Sequence, residues 1–324
     1  MIMMSQETRT NTAVDDSRSV PAHTTIDQRL RGAQMKYLAK RAPGTTSRQV
    51  RWSGGEAQVL ELGEGPPVLL MHGGLGEAFQ WAPIISSLGM RHKVYAADRP
   101  GHGLSDPFNY KNVDFRAHIE SYVGGIMDAL DLRSVPIVAN SMGALFAVYF
   151  ALRYPERVSK LVVIGAPAGS KRQLPFAMRA LRMPVLSALI KSFMSKPTRK
   201  SVLNFYNQFT IAAHPERLDV EFLDAVVWSQ KRNLGSWMSL AGYVMDAGGL
   251  RRDLVIGERW KQLRVPTLFV WGDKDPFDSL ENGEHIAAQI PGGARLVRIP
   301  DAGHLPWIDE PERCAGLIMD FLKP

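Results

Sequence analysis

The chain has 324 residues, of which 45% are hydrophobic and 22% are charged, as is typical of a globular protein. This length suits one large α/β domain with an insertion. No run of about 18 or more apolar residues occurs, which argues against a membrane span, and the single cysteine, Cys314, excludes an intramolecular disulfide. Because the first 25 residues also lack a signal-peptide pattern, we expect a cytoplasmic protein.

The formal net charge of +7 is concentrated in one part of the chain. Residues 171–261 hold 15 Lys and Arg against 7 Asp and Glu, and residues 171–200 hold eight basic residues and no acidic one. The basic residues alternate with Leu, Met and Phe rather than forming a nucleic-acid motif, so we expect no nucleic-acid binding. A weak contact with an anionic membrane surface, or attraction of a carboxylate-bearing substrate, is the alternative interpretation.

The N-terminal part, residues 1–45, is predicted to be an extension outside the main domain. Residues 1–25 are rich in Ser, Thr and Asp and are predicted to be disordered. Residues 26–41 suit a basic helix that packs against the domain with the apolar side chains Ile26, Leu30, Ala33, Tyr37 and Leu38.

Short apolar runs alternate with helical patterns along most of the remaining chain. A hairpin at 49–62 precedes strands predicted at 67–71, 92–97, 135–138, 161–164, 267–271 and 294–299. Helices are predicted between most of them. This alternation is typical of a mostly parallel sheet with helices on both faces.

The alternation is interrupted between residues 169 and 261, where the pattern is mostly helical. We therefore predict a helical lid at 169–261, inserted into an α/β core formed by residues 46–168 and 262–324.

Ser141 lies between a strand and a helix, within Ala139-Asn140-Ser141-Met142-Gly143. This is the form of the nucleophile elbow, Gly-x-Ser-x-Gly, with alanine in place of the first glycine. The alternative is a serine that caps an ordinary helix.

Two later segments offer an acid and a base. Asp275 follows the strand at 267–271, and His304 follows the strand at 294–299. Since sites in α/β sheets lie at the carboxyl ends of the strands, both should approach Ser141, and the order Ser, acid, His is the one expected with this elbow. Asp273 is the competing acid; Asp275 is preferred because it lies further past the strand.

Oxyanion donors are predicted from the glycines after the strand at 67–71, in His72-Gly73-Gly74-Leu75-Gly76, and from the N–H of Met142. No Gly-Lys-Ser/Thr follows and no zinc spacing is present, so we expect neither a nucleotide cofactor nor a metal.

The motifs together resemble the α/β-hydrolase family. The resemblance covers residues 48–168 and 262–324 and rests on five segments: His72-Gly73-Gly74, Asp98-Arg99-Pro100-Gly101-His102-Gly103-Leu104-Ser105, the elbow, Gly272-Asp273-Lys274-Asp275 and Gly303-His304. It implies an eight-stranded sheet with an antiparallel second strand, a lid after the sixth strand, Gly74 as the first oxyanion donor and a structural role for His102.

These features predict a serine hydrolase that cleaves a carboxylic ester of a largely apolar small molecule. Asn140, beside the nucleophile, and Phe79, Trp81 and Trp307 are the predicted substrate-binding residues. Asn140-Ser141-Met142-Gly143 also resembles the elbow of hydrolases that cleave C–C bonds in ring-cleavage products, although Ala139 and Ala144 replace glycines there. Lactonase, amidase and perhydrolase activity, and a ligand receptor of the same fold, remain alternatives.

Overall fold

The computed structural model describes residues 24–323, so most of the stretch predicted to be disordered lies outside the described residues. Eight strands form one sheet in the order β1-β2-β4-β3-β5-β6-β9-β10. Their bounds are β1 Thr46–Trp52, β2 Gly55–Leu62, β3 Pro67–Met71, β4 Lys93–Ala97, β5 Val135–Asn140, β6 Val158–Ile164, β9 Thr267–Gly272 and β10 Ala294–Ile299.

The strand directions agree with the predicted fold class. β2 is antiparallel to both of its neighbours, β1 and β4, and the other pairs are parallel. The predicted apolar runs form the centre of the sheet because parallel strands are buried on both faces; every residue of β9, for example, is buried.

Helices cover both faces of the sheet and form two apolar cores with it. One core includes Phe115 and Phe146, from α3 and α4; the other includes Ile84 and Ile318, from α2 and α11. The helices are α1 Thr24–Arg41, α2 Ala82–Gly89, α3 Phe115–Ala129, α4 Ser141–Arg153, α5 Phe176–Arg179, α6 Pro184–Met194, α7 Arg199–Gln208, α8 Val220–Val244, α9 Leu280–Gln289, α10 Pro306–Asp309 and α11 Pro311–Leu322.

Both ends of the described chain contribute buried side chains to the domain. The basic helix is α1, which buries Leu30, Tyr37 and Leu38 and packs against α8. Cys314 is fully buried in α11, and burial raises the pKa of its thiol. Within residues 24–323, the helices are all too short or too polar to cross a membrane.

The segment between β6 and β9 contains α5 to α8 and a small hairpin of two-residue strands, β7 Met245–Asp246 and β8 Gly249–Leu250, which the sequence did not indicate. The long helix α8 is fixed to the loop after β4, because Arg232 donates to the carbonyl oxygens of Gly103 and Ser105 at 3.0 and 2.8 Å. Helices therefore occupy the stretch predicted as a lid; its boundaries at 169 and 261 remain a prediction.

Candidate active site

Ser141 lies at a sharp turn between β5 and α4. Asn140, the last residue of the strand, has extended backbone angles and is the N-cap of the helix. Ser141 itself has a φ of +49°, in the left-handed region that side chains other than glycine rarely adopt. Ser141 is therefore not the helix cap, and its half-buried position at a strained turn is typical of a functional residue.

Small residues on both sides of Ser141 allow this turn. Ala139 is fully buried in the sheet. A Cβ added to Gly143 would lie 2.3 Å from the carbonyl oxygen of Met71 and 2.5 Å from that of His72. The start of α4 thus rests directly on the backbone at the end of β3, which requires a glycine two residues after the serine.

The acid and the base predicted from the sequence are in direct contact. His304 Nδ1 lies 2.8 Å from Asp275 Oδ2, and the two side chains are 6% and 0% exposed. Asp275 also accepts hydrogen bonds from the N–H groups of Ala166 and Phe277 at 2.8 and 2.9 Å. Three donors thus fix this carboxylate, which leaves the Nε2 atom of the imidazole for other chemistry. The competing acid, Asp273, instead pairs with Arg298.

Asn140, the last residue of β5, links the segment that carries Ser141 to the segment that carries His304. The side-chain amide of Asn140 donates to the carbonyl oxygens of Ile164 and His304 at 2.7 and 3.3 Å. In the part of the chain that the structure describes, the Ser141 hydroxyl forms no hydrogen bond with His304. In enzymes without substrate such catalytic hydrogen bonds are often long and shorten only in the substrate complex.

The loop after β3 places backbone N–H groups beside Ser141. A Cβ on Gly73 would lie 3.2 Å from the Ser141 Cβ, and the space around Gly74 is open. The buried guanidinium of Arg99 donates to the carbonyl oxygens of Gly73 and Gly74 at 2.5 and 3.1 Å, and His102 Nε2 contacts the latter at 2.7 Å. Because the C=O of Gly73 and the N–H of Gly74 point in opposite directions across one trans peptide, Arg99 turns this N–H away from itself.

Met142 supplies the second predicted donor. It follows Ser141 in the first turn of α4, where the N–H groups have no partner within the helix. The N-terminal end of the helix also favours negative charge. Its N–H is thus suited to stabilise a developing oxyanion next to the serine.

A buried network of polar side chains stabilises the loop after β3. Glu77 accepts from the N–H of Gly103 and from the Asn233 side chain on α8, at 3.0 and 3.3 Å. Burial, followed by the charge of Asp98, raises the pKa of Glu77 well above its usual value. Burial likewise raises the pKa of Asp98 to about 6. The loop after β3 is thereby connected to the inserted segment through buried groups.

Asp309 is a site residue that the sequence did not reveal. Its carboxylate accepts from the N–H groups of Gly303, Ala213 and His214 at 2.8, 2.9 and 3.1 Å. It therefore fixes the residue before His304 against the inserted segment. Only its position five residues after the histidine could have indicated this role, because all three donors are backbone groups.

The predicted aromatic residues of the pocket lie in the core. Phe79, Trp81 and Trp307 are at most 1% exposed. The two tryptophans stack with ring centroids 4.1 Å apart, and Trp307 donates its indole N–H to the carbonyl oxygen of Gln80. Without accessible surface none of these rings faces an open cavity, which departs from the prediction that they line the substrate pocket.

Two further observations concern the neighbouring side chains. Asn140, also predicted to bind substrate, is 1% exposed and uses its amide for the structural contacts described above. Phe277, which the sequence did not single out, is half-buried and packs on the imidazole of His304 with ring centroids 4.3 Å apart. Over residues 24–323 we find no cluster of three His, Cys, Asp or Glu side chains that could hold a metal ion.

Comparison with known proteins gives consistent results. Residues 66–311 match the sequence model of the alpha/beta hydrolase fold. A 2-hydroxy-6-oxononadienedioate/2-hydroxy-6-oxononatrienedioate hydrolase of Pseudomonas putida is 30% identical over 273 residues, covering 81% of this chain and 90% of that protein. An enzyme of the same name from Comamonas testosteroni is 29% identical over 278 residues, covering 81% and 89%. The crystal structure of a Bacillus subtilis carboxylesterase superposes with a TM-score of 0.73 at 21% identity, covering 92% of this chain and 98% of that one.

Proposed function

The chain belongs to the α/β-hydrolase fold family, and on that premise we propose that it is a serine hydrolase that cleaves a carboxylic ester of a largely apolar substrate. The observation that supports this best is the Asp275–His304 pair, 2.8 Å apart, at the sheet edge where Ser141 occupies a left-handed turn. A serine hydroxyl needs a neighbouring base to become a useful nucleophile, and these residues supply one.

In the first half of the proposed reaction, Ser141 Oγ attacks the acyl carbon of the ester while His304 Nε2 takes the hydroxyl proton. Asp275 holds the imidazole in the required tautomer and stabilises the imidazolium. The negative charge that develops on the acyl oxygen is stabilised by the N–H groups of Gly74 and Met142. The C–O bond then breaks, and the imidazolium gives its proton to the leaving alcohol.

In the second half, water attacks the acyl group on Ser141. His304 takes a proton from this water and returns one to Ser141 Oγ as the carboxylic acid leaves. No cofactor takes part in these steps. The serine, the imidazole and the carboxylate return to their starting protonation states.

An apolar, uncharged substrate is favoured by the groups around the proposed site. The Phe277 ring lies against the imidazole, and the space beside Gly74 is open. The arginines that adjoin this region have other partners: Arg99 binds backbone carbonyl oxygens and lies over the Phe146 ring, and Arg232 pairs with Asp27 at 2.7 Å. Arg99 is fully buried and Arg232 is engaged in an ion pair, so neither guanidinium presents an exposed, unpaired charge to a substrate.

Hydrolysis of p-nitrophenyl butyrate tests this proposal. We expect steady multiple turnover by the wild-type chain and a loss of about 10⁴-fold or more in Ser141→Ala, because the nucleophile is removed. Acyl transfer to Ser141 should be detected as a mass increase when a slowly hydrolysed ester is used. A single slow turnover, or none, would indicate a ligand receptor, and turnover that persists in Ser141→Ala would contradict the proposal.

Cleavage of a C–C bond is the second candidate, favoured by the names of the relatives at 29% and 30% identity and by the sequence Asn140-Ser141-Met142-Gly143. Such a substrate is a vinylogous diketone that carries a carboxylate. The discriminating experiment compares kcat/KM for 2-hydroxy-6-oxo-6-phenylhexa-2,4-dienoate, a lactone and butyrate esters. A kcat/KM for the dienoate that exceeds the ester value would make C–C hydrolysis the function.

A further inference from the structure

Residues 176–193 form an unusually apolar part of the surface. Five of the nine large apolar side chains that are exposed in the described part of the chain lie in this short stretch. They are Phe176, Met183, Val185, Leu189 and Phe193, which we call the apolar patch, and their exposed fractions range from 48% to 75%. Single exposed apolar residues are ordinary, but such a concentration marks an interaction site.

Three residues of the apolar patch form a continuous stripe on α6. Val185, Leu189 and Phe193 are four residues apart and are 75%, 62% and 70% exposed. At about 100° per residue they fall within an arc of about 80°, and they extend about 12 Å along the helix. The stripe therefore presents one straight, convex apolar edge to the surroundings.

The opposite side of α6 is attached to the protein along α8. Arg182, just before α6, donates to the carbonyl oxygen of Gly242, and Gln230 donates to that of Met194, at 2.9 and 2.8 Å. These contacts join the start of α6 to the end of α8 and the end of α6 to its middle. The helix thus lies antiparallel along the outside of α8 and forms the outermost layer of the inserted segment here.

The charges around the patch are of one sign. Residues 171–200 contain eight Lys and Arg and no Asp or Glu. Three of the eight form ion pairs with residues outside this stretch: Lys171 with Asp278, Arg172 with Asp246 and Arg199 with Asp224. Across residues 24–323, no ion pair is formed by the other five, Arg179, Arg182, Lys191, Lys196 and Lys200.

We propose that the apolar patch inserts into the interfacial region of an anionic phospholipid bilayer, with the exposed lysines Lys191, Lys196 and Lys200 at the lipid headgroups. A helix with an apolar face and flanking cations binds such an interface without crossing it. A second copy fits less well, because a two-fold contact would bring the same lysines of the two copies close to each other. A peptide would need a groove, and the stripe is convex. This inference does not depend on the proposed ester chemistry.

Co-sedimentation with phospholipid vesicles tests the proposal. The full chain should bind vesicles of phosphatidylcholine with one third phosphatidylglycerol at low salt, and it should bind pure phosphatidylcholine much more weakly. Leu189→Gln with Phe193→Gln should reduce the partition coefficient at least about tenfold, since two buried apolar side chains are removed. Each of Lys191→Gln and Lys196→Gln should reduce it about fivefold, and salt at about 0.5 M should have a similar effect.

Matched controls separate this surface from the fold and from the chemistry. Met90→Gln removes an equally exposed apolar side chain at the end of α2 and should leave binding unchanged. Ser141→Ala should bind vesicles as the wild type does, and unchanged circular dichroism and melting temperature will show that the patch variants fold. No sedimentation at low salt would overturn the proposal. A dimer that dissociates in the Leu189→Gln/Phe193→Gln variant would overturn it in favour of a second copy.

Discussion

Replacing Gly143 by alanine tests how tightly the proposed nucleophile is packed. The added Cβ would lie 2.3 Å from the carbonyl oxygen of Met71 and 2.5 Å from that of His72, closer than real Cβ contacts. To reach the shortest distance seen for such contacts, 3.0 Å, the start of α4 must move by about 0.7 Å relative to β3. Both neighbours are backbone atoms at the edge of the sheet, so a side-chain rotation cannot relieve the contact.

Both stability and activity should fall. Overpacking of this kind costs about 1–3 kcal/mol, and in a chain of this size each kcal/mol corresponds to about 1.5 °C in the melting temperature. The same shift displaces Ser141 and the Met142 N–H from the acyl group. Misplacement by about 1 Å can cost about 100-fold, so we expect kcat for p-nitrophenyl butyrate to fall by about 10- to 100-fold.

The matched control is Gly235→Ala in α8, where an added Cβ meets no atom within 4 Å. Alanine should stabilise this helix interior by about 0.5–1 kcal/mol and should leave kcat unchanged. Differential scanning fluorimetry and steady-state kinetics measure both quantities. If Gly143→Ala keeps its kcat within twofold and melts at the wild-type temperature, the close approach of α4 to β3 does not constrain the site and the reasoning is wrong.

Two further predictions concern buried groups. Burial, followed by the charge of Arg99, lowers the pKa of His118 to about 4. Because the unfolded histidine binds its proton near pH 6.5, the folded protein loses stability from this group as the pH falls from about 6.5 to 4. The variant His118→Phe should not lose this stability. The difference in urea-unfolding free energy between the variant and the wild type should therefore shift in favour of the variant by up to about 3 kcal/mol from pH 7 to pH 4. If this difference is the same at both pH values, the lowered pKa of His118 is contradicted. Asp309→Asn keeps only one acceptor oxygen for three N–H donors, so kcat should fall about tenfold or more, whereas Asp320→Asn at the surface should have no effect.

The order of strands and helices could be predicted from the sequence because parallel strands that are buried on both faces consist of continuous apolar residues. β3 begins and ends where its apolar run does, and β9 extends only one residue, Gly272, beyond the strand predicted at 267–271. β5 extends two residues beyond its apolar run, to Asn140, because the turn at Ser141 ends the strand rather than a change in hydrophobicity. The hydrophobic pattern of a sequence predicts which residues are buried. It does not predict at which polar residue the backbone turns out of the strand.

Contacts between residues of the candidate site could be predicted only where both residues belong to recognisable sequence motifs. Asp275 and His304 follow strands whose ends must meet, so their contact could be anticipated. The roles of Asp309 and Arg99 depend on backbone groups that come close only in the folded chain. Trp307 shows the opposite error: an aromatic residue close to His304 in sequence stacks into the core, because its indole N–H finds a buried backbone acceptor there.

The hydrogen bonds of the inserted segment, between β6 and β9, distinguish a part that is fixed to the active-site loops from an outer part. His304 and Leu305 donate their backbone N–H groups to the carbonyl oxygens of Thr210 and Ile211, at 3.1 and 2.8 Å. The connection between α7 and α8 therefore completes the loop that carries the histidine, and it cannot swing away without displacing the base. α8 is fixed in the same way by Arg232. In contrast, α6 contacts α8 through two side-chain hydrogen bonds and exposes its apolar stripe. α6 therefore lies apart from the contacts that fix the acid–base pair, and it carries the surface for which we propose contact with lipid.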